Sequence, residues 1–208
     1  DGNGFDRDNL LKASKLLDDA GWVLKNRLRV NVKTGKPLSF ELLIASGAND
    51  QWVLPFKKNL ARLGVTMNIR QVDIAQLTNR KRSRDYDMMQ TLWAAQPWPS
   101  SDLQISWASG YIDSSYNAPG VKSPVIDALI AKIVAAQGDK EKLLPLGRAL
   151  DRVLTWNYYM LPMWYMGEDR VARWDKFSLP AVRPVYTLGF DTWWYDVNKA
   201  AKLPAARR

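Results

Sequence analysis

An alternation of strand-like and helix-like stretches between residues 38 and 94 is the feature that most constrains the fold. The stretches fall, in chain order, at 38–46 (strand), 49–64 (helix), 65–73 (strand), 74–84 (helix) and 86–94 (strand). Strands that alternate with helices in this way predict a mixed α/β sheet flanked by helices. Ligands of such sheets bind beyond the carboxyl ends of the strands, which is where the run WAAQPWP, 93–99, follows the third strand.

Two more helices are predicted in the second half of the chain, and each has a clear start. Ser123 is placed as the N-cap of one helix with Pro124 at its first position, and Asp139 as the N-cap of the next. The run 159–174 predicts one or two strands that return to the sheet. After residue 176 the periodicity fades while prolines and aromatic residues gather, which predicts a tail that packs onto another surface.

The absence of cysteine and histidine from all 208 residues narrows the available chemistry. It excludes thiol nucleophiles, histidine-based triads, and the thiolate or imidazole ligands of zinc and iron–sulfur sites. A hydrolase would need a Ser–Lys arrangement or paired carboxylates, for which Asp85, Asp87 and Asp102 are candidates. No oxyanion loop or phosphate-binding loop accompanies them. We therefore predict no catalytic residue, no metal and no cofactor, and keep a carboxylate-based enzyme lobe as an alternative.

The formal net charge of +9 is concentrated in the cluster Arg80–Arg84 and in the C-terminal tail. A basic cluster can bind nucleic acid or an anionic membrane surface, which stays an alternative. We favour a solvated helix end, because cations stabilise helix C-termini and no nucleic-acid-binding motif is present. No run approaches the roughly 20 apolar residues of a membrane-spanning helix, and no signal peptide is predicted within the chain.

Aromatic residues are dense in the loop-rich region that follows the third strand. Five of them fall there: Trp93, Trp98, Trp107, Tyr111 and Tyr116. Aromatic rings with backbone amides between them suit an extended peptide or a sugar. The alternative is a loop packed by its own aromatic side chains.

The stretch APGVKSPVIDALIAKI, 118–133, resembles the signature of the family 5 extracellular solute-binding proteins of ABC importers, which are peptide and oligopeptide receptors. Five positions match that signature: Gly120, Pro124, Asp127, Leu129 and Ile130. Val121 and Ser123 replace the usual Tyr and Asn, and Asn117 stands where members often have an Asn ahead of the Gly. Three further segments resemble family patterns: 10–22, 56–88 and 157–173. Within the family the chain is most similar to the YejA type, whose members serve importers of peptides and of the peptide–nucleotide antibiotic microcin C.

The resemblance implies a periplasmic-binding-protein fold of type II (cluster C), of which this chain supplies the C-terminal lobe. Residues 1–176 would form that lobe, and residues 177–208 would return to a first lobe that the chain lacks. The implied partners are a peptide ligand, an inner-membrane ABC permease and the N-terminal lobe of the same protein, with no nucleic acid. The implied location is the periplasm. A sugar receptor of the same fold stays an alternative.

The resemblance also places the ligand at the end of the third strand. The ligand-binding residues that we predict are Trp93, Ala94, Ala95, Gln96, Trp98, Asp102, Tyr116 and Asn117. Family members carry W-x-x-D here, and the Asp holds the α-ammonium of the peptide, but this chain has Gln96 in its place. An amide has no charge to meet an ammonium. Either Asp102 or Asp113 holds the ammonium instead, or the ligand has a blocked N-terminus, as formylated microcin C does.

Overall fold

The computed structural model describes residues 6–45, 50–93, 98–168, 170–184 and 187–204. The helices are Arg7–Asp19 (α1), Asp50–Arg62 (α2), Ile74–Ser83 (α3), Leu103–Trp107 (α4), Pro124–Ala135 (α5), Lys140–Trp156 (α6) and Val197–Ala201 (α7). The strands are Trp22–Lys25 (β1), Leu28–Asn31 (β2), Ser39–Ala45 (β3), Thr66–Val72 (β4), Met88–Met89 (β5), Phe177–Ser178 (β6) and Trp194–Tyr195 (β7). None of the described helices is long and apolar enough to cross a membrane.

The central sheet is parallel and has the order β4-β3-β5, which agrees with the predicted strand–helix alternation. β3 occupies the middle, and its Leu42, Leu43 and Ile44 are all buried, as expected of a strand covered on both faces. The third strand was predicted over 86–94, and among its described residues, 86–93, only β5 is a strand. Its ladder with β3 begins at Met88, because the Asp87 carboxylate accepts a hydrogen bond from the Glu41 backbone N–H.

Two hydrophobic clusters lie on either side of the end of β5. The first packs α2 on the sheet and centres on Leu42, Ile44, Val53 and Met67. The second joins α4, α5 and α6 around Trp107, Val121, Ile126, Ile130, Ile133, Ala136, Leu143 and Leu150. Met88 packs against the first cluster and Trp93 against the second. The chain from β5 to Trp93 therefore runs from one cluster to the other.

The two predicted helices of the second half begin where their caps indicated. The Ser123 hydroxyl accepts from the Ile126 N–H, with Pro124 at the first helical position, and the Asp139 carboxylate accepts from the Lys142 N–H. Satisfying an exposed N–H of the first turn in this way stabilises a helix start.

A buried arginine joins the N-terminal elements, including the hairpin β1–β2, which the sequence patterns did not predict. The Arg29 side chain is 2% exposed. Its guanidinium donates to three carbonyl oxygens (Leu63, Trp22 and Ser14), to the Ser14 hydroxyl and to the Asp18 carboxylate. These bonds link α1, the hairpin and the end of α2.

The run 159–174 differs from its prediction, because its described residues contain neither helix nor strand. Its side chains are mostly exposed. A strand requires a paired neighbour, and no such pairing involves the described part of this run.

The tail folds locally around the antiparallel pair β6–β7. The Ser178 hydroxyl donates to Asp196, which caps α7, and Phe177 lies edge-on to Tyr195. The prediction that this tail packs on a further lobe stays a prediction.

Candidate ligand-binding groove

An open groove of about 1050 Å³ lies between residues 86–93 and the segment 158–166. Its remaining lining comes from Leu42, Trp52, Phe56, Arg84, Ala118 and Pro119. The size is at the upper end of small-ligand pockets, and the lining is dominated by aromatic, methionine and aliphatic side chains, as is usual for binding clefts. The groove therefore forms where the sheet ends, in the place that the strand–helix alternation indicated.

One wall of the groove is the edge of the sheet. β5 pairs with β3 on one side, and the Gln90 N–H continues this pairing by donating to the Leu43 carbonyl at 3.0 Å. Residues 86–93 line the groove. An edge strand presents backbone N–H and C=O groups, to which an extended peptide can add as a further strand.

Trp93 belongs both to the groove and to the helical core. It lines the groove, and its ring lies 4.7 Å from that of the fully buried Trp107, at an interplanar angle of 31°. This geometry is typical of a favourable aromatic pair. The predicted contact residue Trp93 is thus held by Trp107, while Trp107 itself is a core residue.

Most of the other predicted contact residues either lie outside the groove lining or fall outside the described residues. Trp98, Asp102 and Tyr116 are exposed but do not line the groove in the described structure. Asp102 precedes α4 without a capping hydrogen bond from its carboxylate. Ala94, Ala95 and Gln96 lie outside the described residues.

Asn117 lies behind the groove wall instead of in contact with the groove. Its side chain is 0% exposed. The amide nitrogen donates to the Val121 carbonyl at 3.0 Å, and the amide oxygen accepts from the Val121 N–H at 2.9 Å. These bonds close the loop 117–121, which we call the Asn117 loop. Since Ala118 and Pro119 line the groove, Asn117 shapes the wall through its backbone neighbours.

Two side chains at the start of the groove hold the Asn117 loop against the sheet. The Tyr86 hydroxyl donates to the Ala118 carbonyl, and the Arg84 guanidinium lies 3.4 Å from the Asn117 carbonyl. The sequence patterns predict neither of these side chains, nor the segment 158–166, as part of the site. The density of Trp, Tyr and Met in NYYMLPMWYM was the available signal for that segment.

Raising the pH above about 10 is expected to destabilise the fold through Tyr86. Burial raises the pKa of its hydroxyl, against the opposing effect of the Arg84 charge. The neutral form is therefore favoured in the folded state, so its stabilisation is present below the unfolded pKa and is lost as the pH rises through the folded pKa. Urea unfolding from about pH 9 to about pH 11 should show a steeper loss in the wild type than in Tyr86→Phe. Equal slopes would contradict this expectation.

Several of the charged residues proposed for the alternative functions form contacts within the fold. Arg80 bridges Glu41 and Asp85 at 2.9 Å each, and Asp87 accepts the Glu41 N–H. Two charges of the basic cluster, those of Arg80 and Arg84, thus serve internal contacts. Among the described residues, no group of three or more acidic side chains is placed to hold a metal ion.

The family model for bacterial extracellular solute-binding proteins, family 5 Middle, matches residues 1–115, and the chain belongs to this family. It is 74% identical over 207 residues to YejA of Escherichia coli (strain K12), covering 100% of this chain and 34% of that protein. It is 40% identical over 191 residues to the probable peptide-binding protein YejA of Agrobacterium fabrum (strain C58), covering 90% and 31%. The chain therefore spans about a third of the length of the curated relatives it matches.

Among solved structures, the oligopeptide-binding protein AppA of Bacillus subtilis in complex with a nonapeptide is similar to this chain. The TM-score is 0.62 at 20% identity, and the match covers 72% of this chain and 30% of that one. This likeness shows that the chain has part of a type II periplasmic-binding-protein fold and confirms the predicted fold class.

Proposed function

We propose that this chain is the ligand-binding second lobe of the receptor component of an ABC peptide importer. The observation that carries the proposal is the apolar, aromatic groove along the sheet edge that leads from β5 to Trp93. The protein would act in the periplasm and deliver its ligand to an inner-membrane permease. Arg80, Asp85 and Asp87 are bonded to other residues of the fold. Their internal bonds favour a binding function over an enzyme or a nucleic-acid module.

The peptide would bind by adding a strand to residues 86–93. Hydrogen bonds to the peptide backbone supply affinity that does not depend on the side chains of the ligand. The surrounding Met, Trp and Tyr side chains supply adaptable apolar surface for varied ligand side chains. A receptor of this kind accepts many peptides of similar backbone shape.

We further propose that a first lobe covers the exposed apolar side chains from the last residue of α6 to residue 166. These are Trp156, Tyr158, Leu161, Met163, Trp164, Tyr165 and Met166. A large exposed apolar surface of this kind marks a contact surface, and the relatives are about three times as long as this chain. Residues 1–176 would then form the second lobe, and residues 177–208 would cross to the first.

The preferred ligand, in this proposal, has a blocked N-terminus. The family resemblance implies an Asp for the peptide ammonium at the position of Gln96. An amide can hydrogen-bond to a formyl or acyl group but cannot neutralise an ammonium, whose transfer from water into a cleft without a counter-charge is unfavourable.

Calorimetric titration of the full-length protein with one peptide in free and N-formylated forms tests this proposal. We expect the formylated form to bind at least about tenfold more tightly, the equivalent of one uncompensated charged contact. Gln96→Asp is expected to reverse the preference, because it restores a counter-charge. Gln71→Asp, at an exposed position of β4, should leave both affinities unchanged.

A clear preference for the free amine would overturn the blocked-ligand proposal but leave the peptide receptor intact. Binding of neither peptide, together with binding of an oligosaccharide, would replace it with the sugar-receptor alternative.

A further inference from the structure

Pro99, which follows the predicted contact residue Trp98, lies against Gly147 in the middle of α6. A Cβ atom on Gly147 would lie 2.5 Å from the Pro99 Cγ, closer than side chains can approach. Glycine within a helix costs about 1 kcal/mol relative to alanine. Close approach of Pro99 supplies the physical reason for a glycine at this position.

Two further contacts involve Pro99 and its neighbour Trp98. The Gln137 side-chain amide donates to the Pro99 carbonyl at 3.3 Å and to the Ile133 carbonyl at 2.8 Å. The Lys140 ammonium lies 4.7 Å from the centroid of the Trp98 ring, within the range of a cation–π interaction. Gln137 follows the C-terminal end of α5, Lys140 is the first residue of α6, and Gly147 lies in the middle of α6. We call Gln137, Lys140 and Gly147 the Trp98 anchor.

We infer that the Trp98 anchor positions Trp98 for ligand contact, which makes Gln137 and Gly147 positioning residues. The inference rests on the proposed function and on the sequence prediction that Trp98, which lies outside the groove lining, contacts the bound ligand. Trp93 is fixed by Trp107, and Trp98 is fixed by the anchor. Because both aromatic residues are held before a ligand arrives, binding need not order them, and the entropic cost of binding is reduced.

Gly147→Ala in the full-length protein tests the inference. The new Cβ displaces Pro99, so we expect affinity for the N-formylated peptide to fall roughly fivefold to tenfold, as ordering costs of one or two side chains imply. Global stability should change little, since alanine is the better helix former and offsets part of the strain. Pro99→Ala removes the Cγ, so the double variant Pro99→Ala/Gly147→Ala is expected to regain affinity relative to Gly147→Ala alone.

Gly110→Ala is the matched control, because a Cβ there would meet no atom within 4 Å. Hydrogen exchange of the ligand-free proteins supplies a readout that does not depend on binding. The Leu103 and Gln104 amides, bonded to the Ser100 and Ser101 carbonyls, should exchange faster in Gly147→Ala and recover in the double variant.

The outcomes separate the anchor from the proposed function. Faster exchange with unchanged peptide affinity would overturn the positioning role while the peptide receptor stands. Unchanged exchange in Gly147→Ala, or no recovery in the double variant, would overturn the anchor itself. Failure of the wild type to bind either form of the peptide would overturn the proposed function and the role in binding with it, and exchange would still decide whether Gly147 holds Pro99.

Discussion

Replacing Arg29 with methionine is expected to lower the free energy of unfolding by about 3–5 kcal/mol. The substitution removes the guanidinium that donates to the part-buried Leu63, Trp22 and Ser14 carbonyls. Each buried polar group that loses its partner costs about 1–3 kcal/mol. Asp18 is half-exposed and can be hydrated, so the lost carbonyl bonds dominate over the lost charge pair. Urea unfolding followed by circular dichroism measures the change.

Arg152→Met is the matched control for Arg29→Met. Arg152 is exposed on α6, and arginine and methionine have similar helix propensities, so its effect should stay within about 0.5 kcal/mol. Arg29→Lys is expected to recover little of the loss, because a single ammonium cannot reproduce the planar guanidinium fork. A loss from Arg29→Met as small as that of the control would show that Arg29 does not join these elements.

Asn117→Leu is expected to destabilise the protein by roughly 3 kcal/mol, because both the N–H and the carbonyl of Val121 lose their partner in the interior. The change in volume is small, so packing contributes less than the lost hydrogen bonds. Urea unfolding again gives the magnitude. Because the Asn117 loop presents Ala118 and Pro119 to the groove, peptide affinity should fall as well.

The matched control is Asn79→Leu, at an exposed position in the middle of α3, which should be neutral or slightly stabilising. If Asn117→Leu unfolds at the same urea concentration as the wild type, the amide is not required to close the loop. If stability falls while peptide affinity is kept, the Asn117 loop contributes to folding but not to the groove.

The sequence determined the features of this protein that depend on neighbours within about a turn of helix. Ser123 and Asp139 cap their helices by accepting N–H bonds from residues three positions later, so the starts of α5 and α6 follow from local residue types. The strand–helix alternation predicted a mixed α/β sheet flanked by helices, with a ligand site beyond the carboxyl ends of its strands.

Only the tertiary structure decided the features that join residues far apart along the chain. β5 is short because a strand extends only as far as it pairs with its neighbour, here β3. Its apolar sequence alone does not indicate where that pairing ends. Arg29 is one of 30 basic residues, and only packing from three elements identifies it as buried. Asn117 was predicted to contact the ligand, yet its side-chain amide bonds to the backbone of Val121 in its own loop. Gly147 has a role only because Pro99 lies against it. Such contacts arise from three-dimensional packing, which residue spacing does not encode.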